Sequence, residues 1–347
     1  MSIGQMKRIK VSRGATGAVV TALAGLLLTD ASAIAQQKEI AVMLPAAGDP
    51  YFKLKAAGYV DAGKKLGYDV KIYDAGGYGN LQNQVTQIED VIQRKVSGIV
   101  LVPASSDGTV PVVEKAVAAG IPVICLERDI SSPNYTTFIG VDNRAIGHMA
   151  GEFIRDELAR RNSGPAGGGG PAGGGSPAVG EPHGKVVEIR GLLGVEAQTE
   201  RHEGALQALS ESPNIQIVHE AVADWLQANA RERMLEILRA EPKIDAVYAH
   251  NDPMAVGAYL AARELGRDHE MFFVGIDGLG GPAGGIQKVI DGVLAGTFYY
   301  PLCVDKAVEI GNRILREPGF KPEKRYLLES SPVTPQNAPQ MYQRLTF

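Results

Sequence analysis

Cysteine and tryptophan are scarce in this 347-residue chain, and the residue patterns that carry catalysis are missing. It has two cysteines, Cys125 and Cys303, one tryptophan, Trp225, and only 6% aromatic residues. The cysteines lie far apart and match no metal-ligand spacing. Cys125 sits in an apolar run, where a small buried thiol is the ordinary state. An oxidising compartment would permit a disulfide between them, but nothing in their placement calls for one. No H-E-x-x-H, phosphate loop, Cys/His cluster or Ser-His-Asp arrangement occurs at a suitable position. No catalytic residue, metal or cofactor is therefore expected, and the chain does not read as an enzyme. His148 and His250 stand alone, and His250 is expected in the core or behind a site. Positive charge is also short: 35 Lys and Arg against 39 Asp and Glu leave a formal charge of -4. With no basic stripe, nucleic acid is not an expected partner. Past the first 35 residues, no apolar run approaches the ~20 residues needed to span a bilayer.

Those first 35 residues have the makeup of an export signal. Lys7, Arg8, Lys10 and Arg13 form a basic start, Ala15 to Leu28 are apolar or small, and Ala33-Ile34-Ala35 is a cleavage pattern. The reading is a signal peptide over 1–35, a mature chain from Gln36 and a periplasmic location. The segment holds four bases and one acid, so the remainder is more acidic than the whole. That remainder is long enough for two lobes.

Strand-like and helix-like patterns alternate throughout. Strands are expected at 39–44, 69–73, 98–102, 121–126, 135–139, 185–190, 215–219, 245–249, 271–276 and 296–300. Several are continuous apolar runs, as for strands covered on both faces. Helical spacing marks 81–94 and 145–158. Strict alternation predicts an α/β chain with two doubly wound parallel-sheet lobes. Residues 162–184, NSGPAGGGGPAGGGSPAVGEPHG, read as a flexible surface insertion between a helix and a strand.

Polar, charged and aromatic residues gather at the strand tips. Asp49, Tyr51 and Phe52 follow IAVMLPAAG, and Glu127 and Arg128 follow IPVICL. Arg201 lies beyond KVVEIRG, Asp224 and Trp225 beyond IQIVHEA, Asn251 and Asp252 beyond IDAVYAH, and Asp277 beyond MFFVGI. Ligands of open α/β sheets bind at the carboxyl ends of strands. Each residue also has a plainer reading. Of Asn251 and Asp252, ahead of Pro253, Asp252 is taken as the helix N-cap and Asn251 as the ligand group. Asp277-Gly278 is a turn pair, Arg201 could be solvated, and Glu127 and Arg128 could pair with each other. Carboxylates, amides and guanidiniums suit vicinal hydroxyls, and Trp225 with Tyr51 and Phe52 could sandwich the C–H faces of a ring.

These segments resemble the periplasmic pentose- and hexose-binding proteins of ABC importers, the ribose-binding-like type I periplasmic binding proteins. The resemblance rests on IAVMLPAAGDPYF, IPVICLERD, EAQTERHEGALQAL, AVADW, AVYAHNDPMAVGAY, FFVGIDGLGGP and AGTFYYP. It implies two lobes joined by a three-crossover hinge near Val141-Asp142, Tyr300-Pro301 and Glu329-Ser330. The lobes would be 36–141 plus 301–329, and 142–300 plus 330–347. The implied ligand set is Asp49, Tyr51, Phe52, Glu127, Arg128, Arg201, Trp225, Asn251, Asp277 and Tyr300. The implied partners are a sugar, polyol or similar small molecule and an ABC transporter permease, with the receptor a monomer. Pro45, Val102, Glu127 and Tyr300 depart from the ribose-binding pattern. Two hydrogen-bonding positions are thus apolar and a third is longer, so a deoxy sugar, a polyol or another small polar ligand with one apolar edge suits the site better than ribose. A narrower segment, DAGGYGNLQNQVTQIEDVI, is similar to a periplasmic protein that presents trimethylamine N-oxide to a sensor kinase. The alternative role is therefore ligand presentation to a sensor kinase's periplasmic domain.

Overall fold

A computed structural model describes residues 38–163 and 180–345. The expected signal peptide and most of the glycine-rich insertion lie outside the described residues. The chain runs β1 (Glu39–Leu44), α1 (Pro50–Leu66), β2 (Asp69–Asp74), α2 (Leu81–Gln93), β3 (Gly98–Leu101), α3 (Val110–Ala118), β4 (Val123–Leu126) and β5 (Thr137–Gly140). It continues through α4 (Asn143–Asn162), β6 (Gly184–Arg190), α5 (Glu196–Ser210), β7 (Ile215–Val222), α6 (Gln227–Ala240), β8 (Ala246–Ala249) and α7 (Asp252–Glu264). It ends with β9 (Phe272–Val274), α8 (Gly285–Ile290), β10 (Thr297–Tyr299), α9 (Val304–Arg316), β11 (Arg325–Leu327), β12 (Ser331–Val333) and α10 (Ala338–Leu345).

The strands make two parallel sheets. The first lobe carries six strands in the order β11-β5-β4-β3-β1-β2, and the second carries β7-β6-β8-β9. Two parallel bridges, Val274 to Gly296 and Asp277 to Tyr299, bring β10 alongside β9, and β12 pairs antiparallel with β10. The polypeptide thus passes between sheets after β5, after β10 and after β11. Alternate residues of one strand feed opposite faces, as the pleat requires. Ala41 and Met43 pack with Ile88, Val91, Val112 and Val113 from α2 and α3. Val42 and Leu44 pack with Tyr59, Ala307 and Ile310 from α1 and α9. In the second lobe Val186 and Tyr248 meet α4 and α5, while Val187 and Val247 meet α6 and α7. β11 and β12 are additions to the strands expected from sequence. Among the described residues, no helix is long and apolar enough to cross a membrane.

Two local devices position the strand tips of the second lobe and the helix beside them. Helices α4 and α5 cross at glycines: a Cβ on Gly147 would stand 2.2 Å from the Arg201 carbonyl, and one on Gly204 would stand 2.1 Å from that of Arg144. Only the bare backbones allow this approach, which sets Arg201 beside the start of α4. The second device is Asp252. Its backbone N–H donates to the Ile276 carbonyl (2.7 Å). Its carboxyl accepts from the Thr297 hydroxyl (2.6 Å) and the Gly278 N–H (2.8 Å). Gly275 and Gly285 lie against that carboxyl, where added Cβ atoms would come within 2.3 and 1.8 Å of its oxygens. The helix cap at α7 is Asn251, whose side chain accepts from the Met254 N–H (3.0 Å). This corrects the cap expected from sequence: Asn251 has the extended backbone that a cap requires, and Asp252 already lies in the first turn, turned into the core.

Cys125 and Cys303 are both buried free thiols. The ends of the insertion meet. Gly180 N–H donates to Ser163 Oγ (2.7 Å), and the Asn162 amide donates to the His183 carbonyl (2.9 Å).

Because Ser163 and Gly180 are already joined, deleting residues 164–177 should shift the melting temperature by no more than ~2 °C, since shortening a connection between fixed ends changes closure entropy little; a drop of about 10 °C would show that the segment packs on a lobe. Burial pushes the Asp252 carboxyl up to about 7 against the hydrogen bonds from Thr297 and Gly278. A carboxyl raised in the folded state contributes its full stability below the usual carboxylate range and loses it as pH rises toward 7. The protein should therefore lose melting temperature between pH 4 and 7.5. Asp252→Asn, which can still accept from Gly278 and donate to Thr297, should flatten that slope in calorimetry. Parallel slopes would overturn the assignment.

Candidate functional site

The carboxyl ends of the two sheets face a shared cavity of about 60 Å³. Its lining includes all ten residues expected from sequence: Asp49, Tyr51, Phe52, Glu127 and Arg128 from the first lobe, and Arg201, Trp225, Asn251, Asp277 and Tyr300. Tyr78, Ala197 and Pro253 complete it. Tyr78 was not anticipated. It follows β2 in a glycine-rich turn whose composition gives no sign of a binding role. Val102 is fully buried in the core with Leu44, Phe52 and Tyr78 and does not line the cavity, so it does not face a ligand there. Pro45 does not line it either.

Each group is held by its own segment. Asp49 caps α1 by accepting from the Tyr51 N–H (2.8 Å), with Pro50 at the first helical turn. This leaves Tyr51 and Phe52 on the opening turn, their rings edge to face at 5.4 Å. Glu127 does not pair with Arg128. Its carboxylate accepts from the Lys55 ammonium and the Tyr51 hydroxyl, and Lys55, on α1, is fully buried. A lysine in an otherwise solvated-looking helix gave no signal of this in the sequence. The Glu127 carbonyl accepts from the Tyr300 hydroxyl (3.3 Å), which ties the wall of the first lobe to the segment after β10.

Arg201 is buried and not solvated. Its Nε donates to Asn143 Oδ1 (3.0 Å) and its Nη1 to the His250 carbonyl (2.5 Å). Arg128 donates from Nη1 to the Pro103 carbonyl (3.2 Å). Both guanidiniums lie over the Trp225 ring, with Arg128 Cζ 5.6 Å and Arg201 Cζ 5.5 Å from its centre. Arg128 also lies over Tyr78 (5.3 Å) and Arg201 over Tyr300 (5.2 Å). Trp225, Tyr51 and Phe52 all line the cavity, and cation–π contacts join the Trp225 ring to an arginine of each lobe. The indole rests on Gly191, where a Cβ would fall 2.3 Å from it. The Asn251 amide donates to the Trp225 carbonyl (3.1 Å), and the buried indole N–H has no hydrogen-bond partner among the described residues.

The backbone at these tips is strained. Glu127 (φ 62°), Trp225 (φ 69°) and Asp277 (φ 134°) are non-glycine residues at positive φ, as are the neighbouring Asp224 and Cys303. Each costs of order 1–3 kcal/mol, and such strain gathers where a side chain must be aimed. Burial also acts on the charges. It raises the Asp277 carboxyl well above the usual carboxylate range, with Asp252 adding to the effect and Arg201 opposing it. Burial likewise raises Asp49 and lowers Arg128. The cavity therefore presents carboxyls and guanidiniums stripped of water, able to accept and donate hydrogen bonds, between aromatic faces.

The lobes also touch outside the cavity. The Ser106 N–H donates to the Gly194 carbonyl (3.1 Å), the Glu196 N–H to Ser106 Oγ (3.0 Å) and the Asp129 N–H to the Glu196 carboxylate (2.9 Å). His250 is fully buried behind the cavity, as its place at the end of β8 predicted.

Comparison with known proteins agrees with this architecture. The chain is 32% identical over 262 residues to the D-apiose import binding protein of Actinobacillus succinogenes, an alignment covering 74% of this chain and 73% of that one. It is 28% identical to the ribose import binding protein of Escherichia coli, across 92% of this chain and 97% of the relative. Among solved structures, a fructose-binding periplasmic domain of a hybrid two-component system superposes with a TM-score of 0.78 at 32% identity, covering 89% of this chain and 94% of that one. The family described as periplasmic binding protein domain matches residues 40–302. With two doubly wound lobes and a polar, aromatic cavity between their strand tips, the chain belongs to the periplasmic binding protein domain family.

Proposed function

We propose that this protein is a periplasmic receptor that captures a sugar or sugar derivative between two closing lobes and delivers it to an ABC permease. The observation that carries the reading is the cavity itself. Guanidiniums from both lobes, Arg128 and Arg201, converge there with the carboxyls of Asp49, Glu127 and Asp277 and with five aromatic rings. Such a set donates and accepts in adjacent pairs, as vicinal hydroxyls require, while the rings cover C–H faces. Relatives named for D-apiose, ribose and D-allose binding support the sugar class. The relatives are named as binding proteins, which supports binding without catalysis. The ligand contacts are the ten residues named from sequence together with Tyr78. The lobes are 36–141 plus 301–329 and 142–300 plus 330–347, and the protein is a monomer exported by cleavage after Ala35.

Because the cavity groups come from both lobes, a ligand favours closure through contacts that only the closed form makes.

A second role is favoured by one relative. The fructose-binding domain of a hybrid two-component system is as similar as the transport receptors, so presentation of the ligand to a sensor kinase is the alternative. A permease and ATPase encoded beside this gene, or a sensor kinase, would separate the two.

Calorimetry against pentoses, hexoses, polyols and methylamine oxides should find a saturable sugar ligand. Binding of none of the sugars would overturn the reading. With that ligand, Arg201→Ala should weaken binding by about 2–4 kcal/mol, since it leaves ligand oxygens and the His250 carbonyl without a donor; native affinity would remove Arg201 from the contact set. Small-angle scattering should show the radius of gyration falling at saturation, and an unchanged value would exclude closure.

A further inference from the structure

The second lobe holds a polar cluster that the cavity does not use. Glu188, in the middle of β6, is 1% exposed, an unusual place for a carboxylate. One of its oxygens is 2.8 Å from His250 Nε2. The Gly191 N–H donates to Nδ1 of the same ring (3.5 Å), so the His250 proton is on Nε2 and points at Glu188. The other Glu188 oxygen lies 2.8 Å from Nδ1 of His202, on α5. Glu220, on β7, brings a third group. One oxygen each from Glu188 and Glu220 and the His202 ring nitrogen all fall within 4.8 Å of one another.

We infer that Glu188, His202 and Glu220 form a binding site for a divalent transition-metal ion of the zinc class. One imidazole and two carboxylates leave a fourth position for water, the three-ligand arrangement that zinc accepts. A ring nitrogen in the set disfavours calcium and magnesium, which take oxygen ligands. Zinc–ligand bonds of about 2.0–2.2 Å put neighbouring donors ~3.4 Å apart, so Glu188 and His202, now 2.8 Å apart, must open slightly while Glu220 moves in. Glu220 can supply that movement, because its side chain is 46% exposed. It must share its carboxylate with Arg190, whose Nη1 donates to Glu220 Oε2 (2.7 Å). His250 holds the second Glu188 oxygen, the outer hydrogen bond that orients ligating carboxylates. The ion would fasten α5, the helix that carries Arg201, to the sheet beneath it. Nothing in the sequence announced this site, because its ligands come from three separate elements.

The test is a Zn²⁺ titration of chelator-treated full-length protein by calorimetry, with Co²⁺ absorption in the visible range as a second readout. The expected result is one saturable equivalent and the intense d–d bands of a four-coordinate N/O site. Glu220→Gln and His202→Ala should each weaken Zn²⁺ binding at least about tenfold, as loss of one of three ligands requires. Glu220 is at the surface, so its variant reports even if His202→Ala fails to fold. Two other histidine–carboxylate pairs, His148 with Glu152 (3.6 Å) and His219 with Glu241 (3.8 Å), offer only two ligands each. His148→Ala and His219→Ala should bind Zn²⁺ like the parent. Absence of saturable binding, or binding lost in these two variants and kept in Glu220→Gln, would overturn the site.

Discussion

The cavity depends on a buried carboxyl that never touches it. Among the described residues, Asp252 has no cation hydrogen-bonded to it. A hydroxyl and a backbone N–H satisfy its oxygens, and its own N–H reaches the end of β9. These bonds gather the ends of β8 and β9 and the start of β10 into one corner. Asn251 and Asp277 project from that corner, and Tyr300 follows from β10. Buried polar groups are costly unless satisfied, so the corner has one low-energy arrangement. Two glycines, Gly275 and Gly285, leave the space it needs.

The first lobe solves the same problem with charge. Glu127 sits at a strained φ and would be expensive to bury alone. Lys55 and Tyr51 compensate it from within the same helix, so the carboxylate is aimed by the element that also presents Phe52. The two walls are therefore built differently, one on neutral hydrogen bonds and one on an ion pair. Arg201 spans the difference: its guanidinium reaches Asn143 at the hinge, the His250 carbonyl and the faces of two rings.

Most of the fold was legible because β1, β3, β4 and β8 are continuous apolar runs, which admit few other readings. β11 and β12 were not, because Arg325-Tyr326-Leu327 and Ser331-Pro332-Val333 are edge strands defined by their partners and not by burial. The cavity was legible from position, since it collects whatever stands at strand tips. What a single chain could not reveal was the pairing of groups. Lys55 looks solvated until α1 is docked. The cap of α7 falls on Asn251 and not on Asp252, a shift of one residue. Tyr78 enters from a turn whose composition speaks only of backbone freedom.

The scarcity of tryptophan has a use. The one indole in the chain lies in the cavity, with one guanidinium from the first lobe and one from the second near its ring. Indole emission responds to nearby charge and to water. Parting the lobes would take Arg128 away and admit solvent, while Arg201 stayed. All of the protein's tryptophan emission therefore originates at the place where the lobes meet, and the molecule carries a built-in optical gauge of its own closure.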